Sequence, residues 1–457
     1  MTRLAFIALL AAACGQVSVT PPDAAPDAAP AALTAIAPAS GIVTTMVTVT
    51  GDHLGATKGS VTFDGFAGTI VSWADTTIVV AVPDIKPQMA DVVVTTASGL
   101  ALTGQQFQVV LPPRAYTHNQ ANDPMTTLDT ISVLTFDPTA KTLTQLGTNV
   151  TTGMPQPFFG GCSHSLVINE ATRRLFVGGQ NGVGVFDIDP VTGALSPVPG
   201  SPFTVSMLPV GTLWAVEVND DGTKLWAAGG LLYQFDVAAD GSLTPVTGSP
   251  FADVGSTAAD VIVLSNTGQF LYANSETNQF SAFSTAAMTA LTGAPYSQGF
   301  FTFYIARRPT TEQLYLTGLG KVSVWQPDAA TGVPTQITGS PFAIGLSEAN
   351  GMTFTPDGNH AYVIDQGSSN RLAELSIDAT GKPTPLTGSP NAIVTPPATI
   401  NGACTAMSSD GTVLAVAGES PSVALMSIGA DGTATPITGS PFTYMAAAAT
   451  SGFAITF

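Results

Sequence analysis

Gly200-Ser201-Pro202-Phe203, Gly248-Ser249-Pro250-Phe251, Gly293-Ala294-Pro295-Tyr296, Gly339-Ser340-Pro341-Phe342, Gly388-Ser389-Pro390-Asn391 and Gly439-Ser440-Pro441-Phe442 are six variants of one phrase. They begin 48, 45, 46, 49 and 51 residues apart. A period of about 40–50 residues holding several short strands is the pattern of β-propeller blades, in which each repeat is one small sheet. The grammar inside a repeat agrees. A strand leads to an Asp-Gly turn (Asp221-Gly222, Asp357-Gly358, Asp410-Gly411), and an apolar-aromatic strand follows, marked by Leu225-Trp226, Leu271-Tyr272, Leu314-Tyr315 and Ala361-Tyr362. A third strand such as Val322-Ser323-Val324-Trp325 and a fourth such as Leu243-Thr244-Pro245-Val246 complete the unit.

Working outward, a degenerate start at Leu146-Gly147 gives six complete blades. The leftovers at the two ends fit each other. Arg114–Thr117, Ile131–Phe136 and Leu143–Leu146 read as strands two to four, and Phe453–Phe457 reads as the missing first strand. The expectation is a seven-bladed ring over 114–457, closed by pairing the C-terminal strand with the N-terminal ones, which leaves no open sheet edge.

Composition bounds the function. Thirteen Lys+Arg stand against 31 Asp+Glu, a formal charge of −18, which repels phosphate backbones and excludes nucleic acid as a partner. Only 10% of residues are charged, and 46 Gly with 34 Pro favour turns over helices. The chain opens with Met1-Thr2-Arg3, ten apolar residues Leu4–Ala13, and Cys14. This is an export-signal pattern too short to span a bilayer. Pro21-Pro22-Asp23-Ala24-Ala25-Pro26-Asp27-Ala28-Ala29-Pro30 then reads as an extended tether over 15–30. Between Ala31 and about 110, β-branched runs (Met46–Thr50, Val61–Phe63, Thr77–Val82, Asp91–Val94) separated by Gly51-Asp52, Asp64-Gly65 and Pro83-Asp84 predict a small sandwich.

Three resemblances add to this reading. Leu10-Ala11-Ala12-Ala13-Cys14 resembles a bacterial lipoprotein signal over 1–14, with Ala11 where Leu is usual; it implies a lipidated Cys14 and attachment to the cell envelope through that anchor. Ile36-x-Pro38-x-x-Gly41, Val47–Gly55, Val61-x-Phe63, Trp73, Val82-Pro83 and Phe107 resemble the IPT/TIG immunoglobulin-like domains, implying a spacer or protein-contact module over 31–110. The Asp-Gly-x-x-Leu-Tyr and Thr-Gly-x-Leu-Thr-Pro-Val-Thr-Gly-Ser-Pro-Phe phrases resemble the lactonase-like propellers with YVTN repeats. That family includes lactone hydrolases, lactone cyclases and proteins of unknown role. The whole is expected to be all-β, an immunoglobulin-like sandwich followed by a seven-bladed propeller.

Aligned on their second strands, the repeats place His164, Trp214, Asp260, Phe303, Asn350 and Ala403 at equivalent points of the first strand. Alternation along a strand would turn that row one way, toward the channel mouth. His164 in Cys162-Ser163-His164-Ser165 resembles the His-Ser segment of the lactonase-like enzymes, which makes it the candidate general base. Trp214, Asp260, Asn350 and His118 are candidate ligand contacts for a small polar molecule, a glycan or a protein. Arg307-Arg308, Lys321, Arg371, Glu217 and Glu348 are the charged groups that could join them. Four His without paired spacing argue against a metal site, and no phosphate-cradling or nucleophile-elbow motif implies a cofactor. Cys162 and Cys404 are expected to be buried free thiols, since the stitched blade separates their repeats around the ring.

Overall fold

A computed structural model describes residues 30–120, 128–155, 162–180, 182–205, 212–251, 261–274, 277–366, 370–394, 402–418, 420–446 and 450–457. No helix occurs among them. The first unit is a sandwich. One sheet runs Ala32–Ala37, Met46–Asp52, Thr77–Ala81, Thr69–Trp73; the other runs Ser40–Gly41, Ala101–Val109, Gln88–Thr95, Ser60–Phe63, Phe66–Ala67. Alternation decides its core: Val47, Val49, Ile78 and Val80 point inward, and Phe63 meets Phe107 edge-on at 5.8 Å.

The remaining sheets are seven antiparallel blades. Blades 1 to 6 have innermost strands Leu166–Asn169, Leu213–Val218, Val261–Leu264, Thr302–Arg307, Ala349–Phe354 and Gly402–Met407. The recurring phrase has a local cause. In blade 1 the outer strand is broken into Leu195–Pro197 and Phe203–Thr204, both paired to Gly182–Ile188. Gly200 turns the chain between the two pieces at φ +90°, a region that an L side chain rarely adopts. The third strand's Val185 N–H would lose its partner at the break, and the Ser201 hydroxyl accepts from it at 2.9 Å. Ser340, Ser389 and Ser440 do the same for Val324, Glu374 and Leu425.

Neighbouring blades are joined by a second repeated device. The tyrosine of the second strand donates its hydroxyl to a glycine carbonyl in the next blade's third-to-fourth-strand turn. The pairs are Tyr116 to Gly193, Tyr272 to Gly332, Tyr315 to Gly381 and Tyr362 to Gly432, at 2.7–3.0 Å. All four rings are buried, so each bond satisfies a hydroxyl that would otherwise be desolvated without a partner.

The ring closes as the leftover strands require. Thr450–Ile455 pairs with Arg114–Asn119, beginning three residues before the expected Phe453. Thr456 bonds the backbone of Arg114 and Pro112, and Phe457 stacks on Phe136 with centroids 4.0 Å apart. The expectation of free thiols is corrected: Cys162 and Cys404 form a disulfide, with Cα atoms 4.8 Å apart. Distance around the ring was the wrong measure. Both cysteines sit at the inner edge, where blades converge, and both approach the Ser451 carbonyl of the closing strand. Ser163 N–H donates to that oxygen at 3.0 Å, and Cys404 Sγ lies 3.8 Å from it. The bridge therefore ties blade 1 to blade 6 across the strand that closes the ring.

Deleting Phe453–Phe457 is expected to abolish the cooperative thermal transition of the whole propeller, read by near-ultraviolet circular dichroism; a native transition with only local fraying would contradict the closure. Cys162→Ser/Cys404→Ser should fold but lose about 2–5 kcal/mol in denaturant unfolding, as expected for a bridge closing a long loop.

Candidate functional site

Four members of the aligned row, Trp214, Phe303, Asn350 and Ala403, share a backbone irregularity, so simple alternation does not orient them. Trp214, Phe303 and Ala403 are each the extra residue of a β-bulge, and Asn350 lies with Gly351 in a wider one. An innermost strand presents its faces to the adjoining blades, and a bulge re-aims a side chain out of that pattern. Asn350 is 3% exposed, donates to Gln366 and has a backbone carbonyl that accepts from Thr317; it faces packed protein. Trp214 is half-buried. Asp260 lies outside the described residues.

His164 reaches across the channel. Its Nδ1 lies 3.0 Å from the Ile262 carbonyl of blade 3, and its Nε2 bonds the Tyr304 hydroxyl of blade 4. A carbonyl can only accept, so Nδ1 carries the proton and Nε2 accepts from the tyrosine. Burial lowers the His164 pKa to about 4, with the Ile262 bond opposing, so the ring is neutral near pH 7. Burial also raises the Tyr304 pKa, helped by the negative charge of Glu217, and keeps the hydroxyl a donor.

Glu217 of blade 2 and Arg307 of blade 4 lie toward the other end of the innermost strands and share the rim of one cavity. Burial raises the Glu217 pKa to about 7; attraction by Arg307 and a hydrogen bond from the Leu264 backbone only partly offset it. The channel thus carries a neutral imidazole and a phenol at one level and a carboxyl near its midpoint of titration beside a guanidinium at another. A carboxyl of that kind can exchange a proton near neutrality.

The second histidine belongs elsewhere. His118 lies within the stitched blade, its Nδ1 2.9 Å from Ser165 Oγ and 3.2 Å from Ser451 Oγ, and its Nε2 3.3 Å from Asp129 Oδ2. The four residues are at most 1% exposed. These are the residue types of a nucleophile, base and carboxylate set, yet they lie sealed in the seam between the stitched blade and blade 1. His118 and His164 have no partner in common and do not form one site. Among the charged candidates, Arg308 is spent on the Gly358 and Asp378 carbonyls, Lys321 lies 6.0 Å over the Phe300 ring, and Glu348 is exposed. Tyr304, Ser165, Ser451 and Asp129 escaped sequence reasoning. Tyr304 adjoins Phe303, the residue the row did select, and the serines carry no signal beyond being small polar residues.

Comparison with known proteins agrees with this architecture. Residues 31–109 match the IPT/TIG domain family. A 72-residue stretch is 43% identical to cyclomaltodextrin glucanotransferase of Thermoanaerobacterium thermosulfurigenes, covering 14% of this chain and 10% of the enzyme, so the chain spans about a tenth of that relative's length. The periplasmic gluconolactonase of Pseudomonas aeruginosa superposes with a TM-score of 0.56 at 17% identity, covering 76% of this chain and 99% of that one. A Bacteroides uniformis protein proposed to be a 6-phosphogluconolactonase gives 0.55 at 16%, covering 75% and 99%. The class is therefore an all-β chain built from an immunoglobulin-like sandwich and a lactonase-like propeller. More particularly, its sandwich is an IPT/TIG domain, and its propeller shares the fold of the gluconolactonases.

The two half-buried channel groups give opposite pH dependences. Glu217 holds its proton more tightly folded than unfolded, so its contribution to stability is full below pH 4.5 and is lost as pH rises toward 7. His164 holds its proton less tightly, so its contribution is full above pH 6.5 and is lost as pH falls toward 4. Glu217→Gln should flatten the decline between pH 4.5 and 7 in urea-unfolding midpoints. An unchanged slope would mean the carboxyl is ionised at no cost.

Proposed function

We propose that this protein is an exported envelope protein, held by a lipid on Cys14, whose propeller binds a small polar ligand, a glycan or a protein rather than turning over a lactone. One observation carries the reading: the His164 ring nitrogens are both engaged inside the channel, and the imidazole has no free lone pair to activate water. The residue that would be the base instead ties blades 1, 3 and 4 together. The gluconolactonase neighbours support the fold at 16–17% identity and do not by themselves extend their chemistry to this chain. The tether would carry the sandwich and propeller clear of the lipid surface, and the acidic composition gives no attraction to anionic headgroups.

A second reading, lactone hydrolysis, is favoured by Glu217. A carboxyl with a pKa near 7 beside Arg307 joins a candidate base to a cation that could stabilise an oxyanion.

Purified protein assayed against gluconolactone, phosphogluconolactone and acyl-homoserine lactones separates the two. Hydrolysis no faster than buffer for the wild type, Glu217→Gln and His164→Ala is expected. Turnover that either substitution removes would establish the enzyme and overturn the binding reading. In cells, Cys14→Ser should abolish labelling by a radioactive fatty acid; labelling that persists would overturn the anchor.

A further inference from the structure

The ring breaks its own joining rule between blades 2 and 3. Blade 2 carries Trp226 where four other blades carry the tyrosine that donates to the next blade's glycine. Blade 3 lacks the glycine as well, because its third-to-fourth-strand hairpin is cut short. Phe283 pairs with Ala290, seven residues on, while the equivalent Phe186, Phe235, Trp325, Leu375 and Met426 pair with residues ten or eleven further along. The stitched blade has an equally short hairpin, Phe136 to Leu143, but there Lys141 reaches back to Ser427 of blade 6 across the gap. Blade 1 also lacks the tyrosine, and Arg174 spans to the Ala239 carbonyl of blade 2.

Between blades 2 and 3 the space stays open as a cleft of about 920 Å³, running from Glu217 and Arg307 at the channel to the Lys224–Asp236 ion pair outside. Trp226 lines it. Its ring is 3% exposed and its indole N–H has no hydrogen-bond partner, a buried donor of the kind that folded proteins rarely leave unmatched. The half-buried Phe251 ring stands on the same wall, and the exposed Ala286 and Ala287 of the shortened hairpin form a low opposite lip.

We infer that this cleft binds a neutral, hydroxyl-rich saccharide, with the Trp226 indole N–H donating to one of its oxygens. Charge sets the class. Glu217, Asp220, Asp221 and Asp236 outnumber Lys224 and Arg307, so anions are disfavoured. Carboxylates and amides accept and donate to hydroxyls, the aromatic wall suits the C–H face of a sugar, and the volume holds a short chain rather than one ring. The inference rests on reading the propeller as a binding module and gives that module its ligand class and its place in the ring.

Titration calorimetry on the full chain at pH 7, with maltotriose, cellotriose, xylotriose and chitotriose against trigalacturonate, tests it. At least one neutral trisaccharide is expected to bind with Kd below about 1 mM and about tenfold more tightly than the acidic one. Trp226→Phe, which keeps a ring and removes the N–H, should weaken that binding about tenfold. Ala287→Trp, which fills the lip from an exposed turn and leaves Trp226 intact, should abolish it. Binding of no neutral trisaccharide, equal binding of trigalacturonate, or affinity unmoved by Ala287→Trp overturns the inference. The lactone assay keeps the two readings apart: saccharide binding alongside lactone turnover overturns only the binding-rather-than-catalysis reading, and neither activity overturns only the saccharide cleft.

Discussion

A tyrosine hydroxyl bonded to a glycine carbonyl one blade ahead is the interaction on which this propeller's regularity depends. It has two sequence requirements: a tyrosine in the second strand, and a glycine at positive φ in the next hairpin, such as Gly381 at +91° or Gly432 at +82°. A side chain at these glycines would meet neighbouring atoms closer than van der Waals contact, Gln313 for Gly381 and His360 for Gly432. Each bond contributes about 1 kcal/mol net, but its larger effect is geometric, because it fixes the spacing between successive sheets. Where the pair is missing, the structure fills the gap with Lys141 or Arg174, or leaves it open beside Trp226.

Closure imposes the second constraint. A ring assembled from repeats transmits nothing between its ends unless they are joined. Here they are joined three times over, by strand pairing of Thr450–Ile455, by the disulfide across it and by the buried hydrogen bonds of His118 with Ser165 and Ser451, with Asp129 close by on the other ring nitrogen. The two histidines therefore do related work at different radii. His118 closes the seam, and His164 holds innermost strands together across the axis. Groups that would serve as a catalytic set on an accessible surface are consumed in keeping the ring shut, while the titratable carboxyl left near water, Glu217, lies where the regular joining fails.

What the sequence made legible was local and repeated. The period of the Gly-Ser-Pro-Phe phrase, the Asp-Gly turns and the complementary leftovers at Arg114–Leu146 and the C-terminus determine the number of blades and their closure, since each is a short-range rule applied many times. The contacts that define the channel were not legible. The bond from His164 to Tyr304 joins residues 140 apart, and the Cys162–Cys404 bridge joins residues 242 apart. Both depend on the small radius at the axis, which no spacing along the chain encodes. Alignment put Trp214, Asn350 and His164 in one row but could not show that bulges redirect Trp214 and Asn350. Glu217 and Arg307 were visible as charged residues in or beside first strands, and only the assembled ring brings them to one cavity. The gap at Trp226 could have been read: a tryptophan replaces the recurring tyrosine, and the next hairpin lacks its Asp-Gly or Thr-Gly pair.

On the proposal made above, departures from the joining rule, rather than the channel histidine, mark where this propeller binds its ligand. A crystal structure of the full chain grown with the tightest-binding neutral trisaccharide tests this most directly. The account predicts sugar density between blades 2 and 3, with a ligand oxygen within hydrogen-bond distance of Trp226 Nε1. Sugar seated at His164, with the Tyr304 bond broken and the cleft empty, would contradict it.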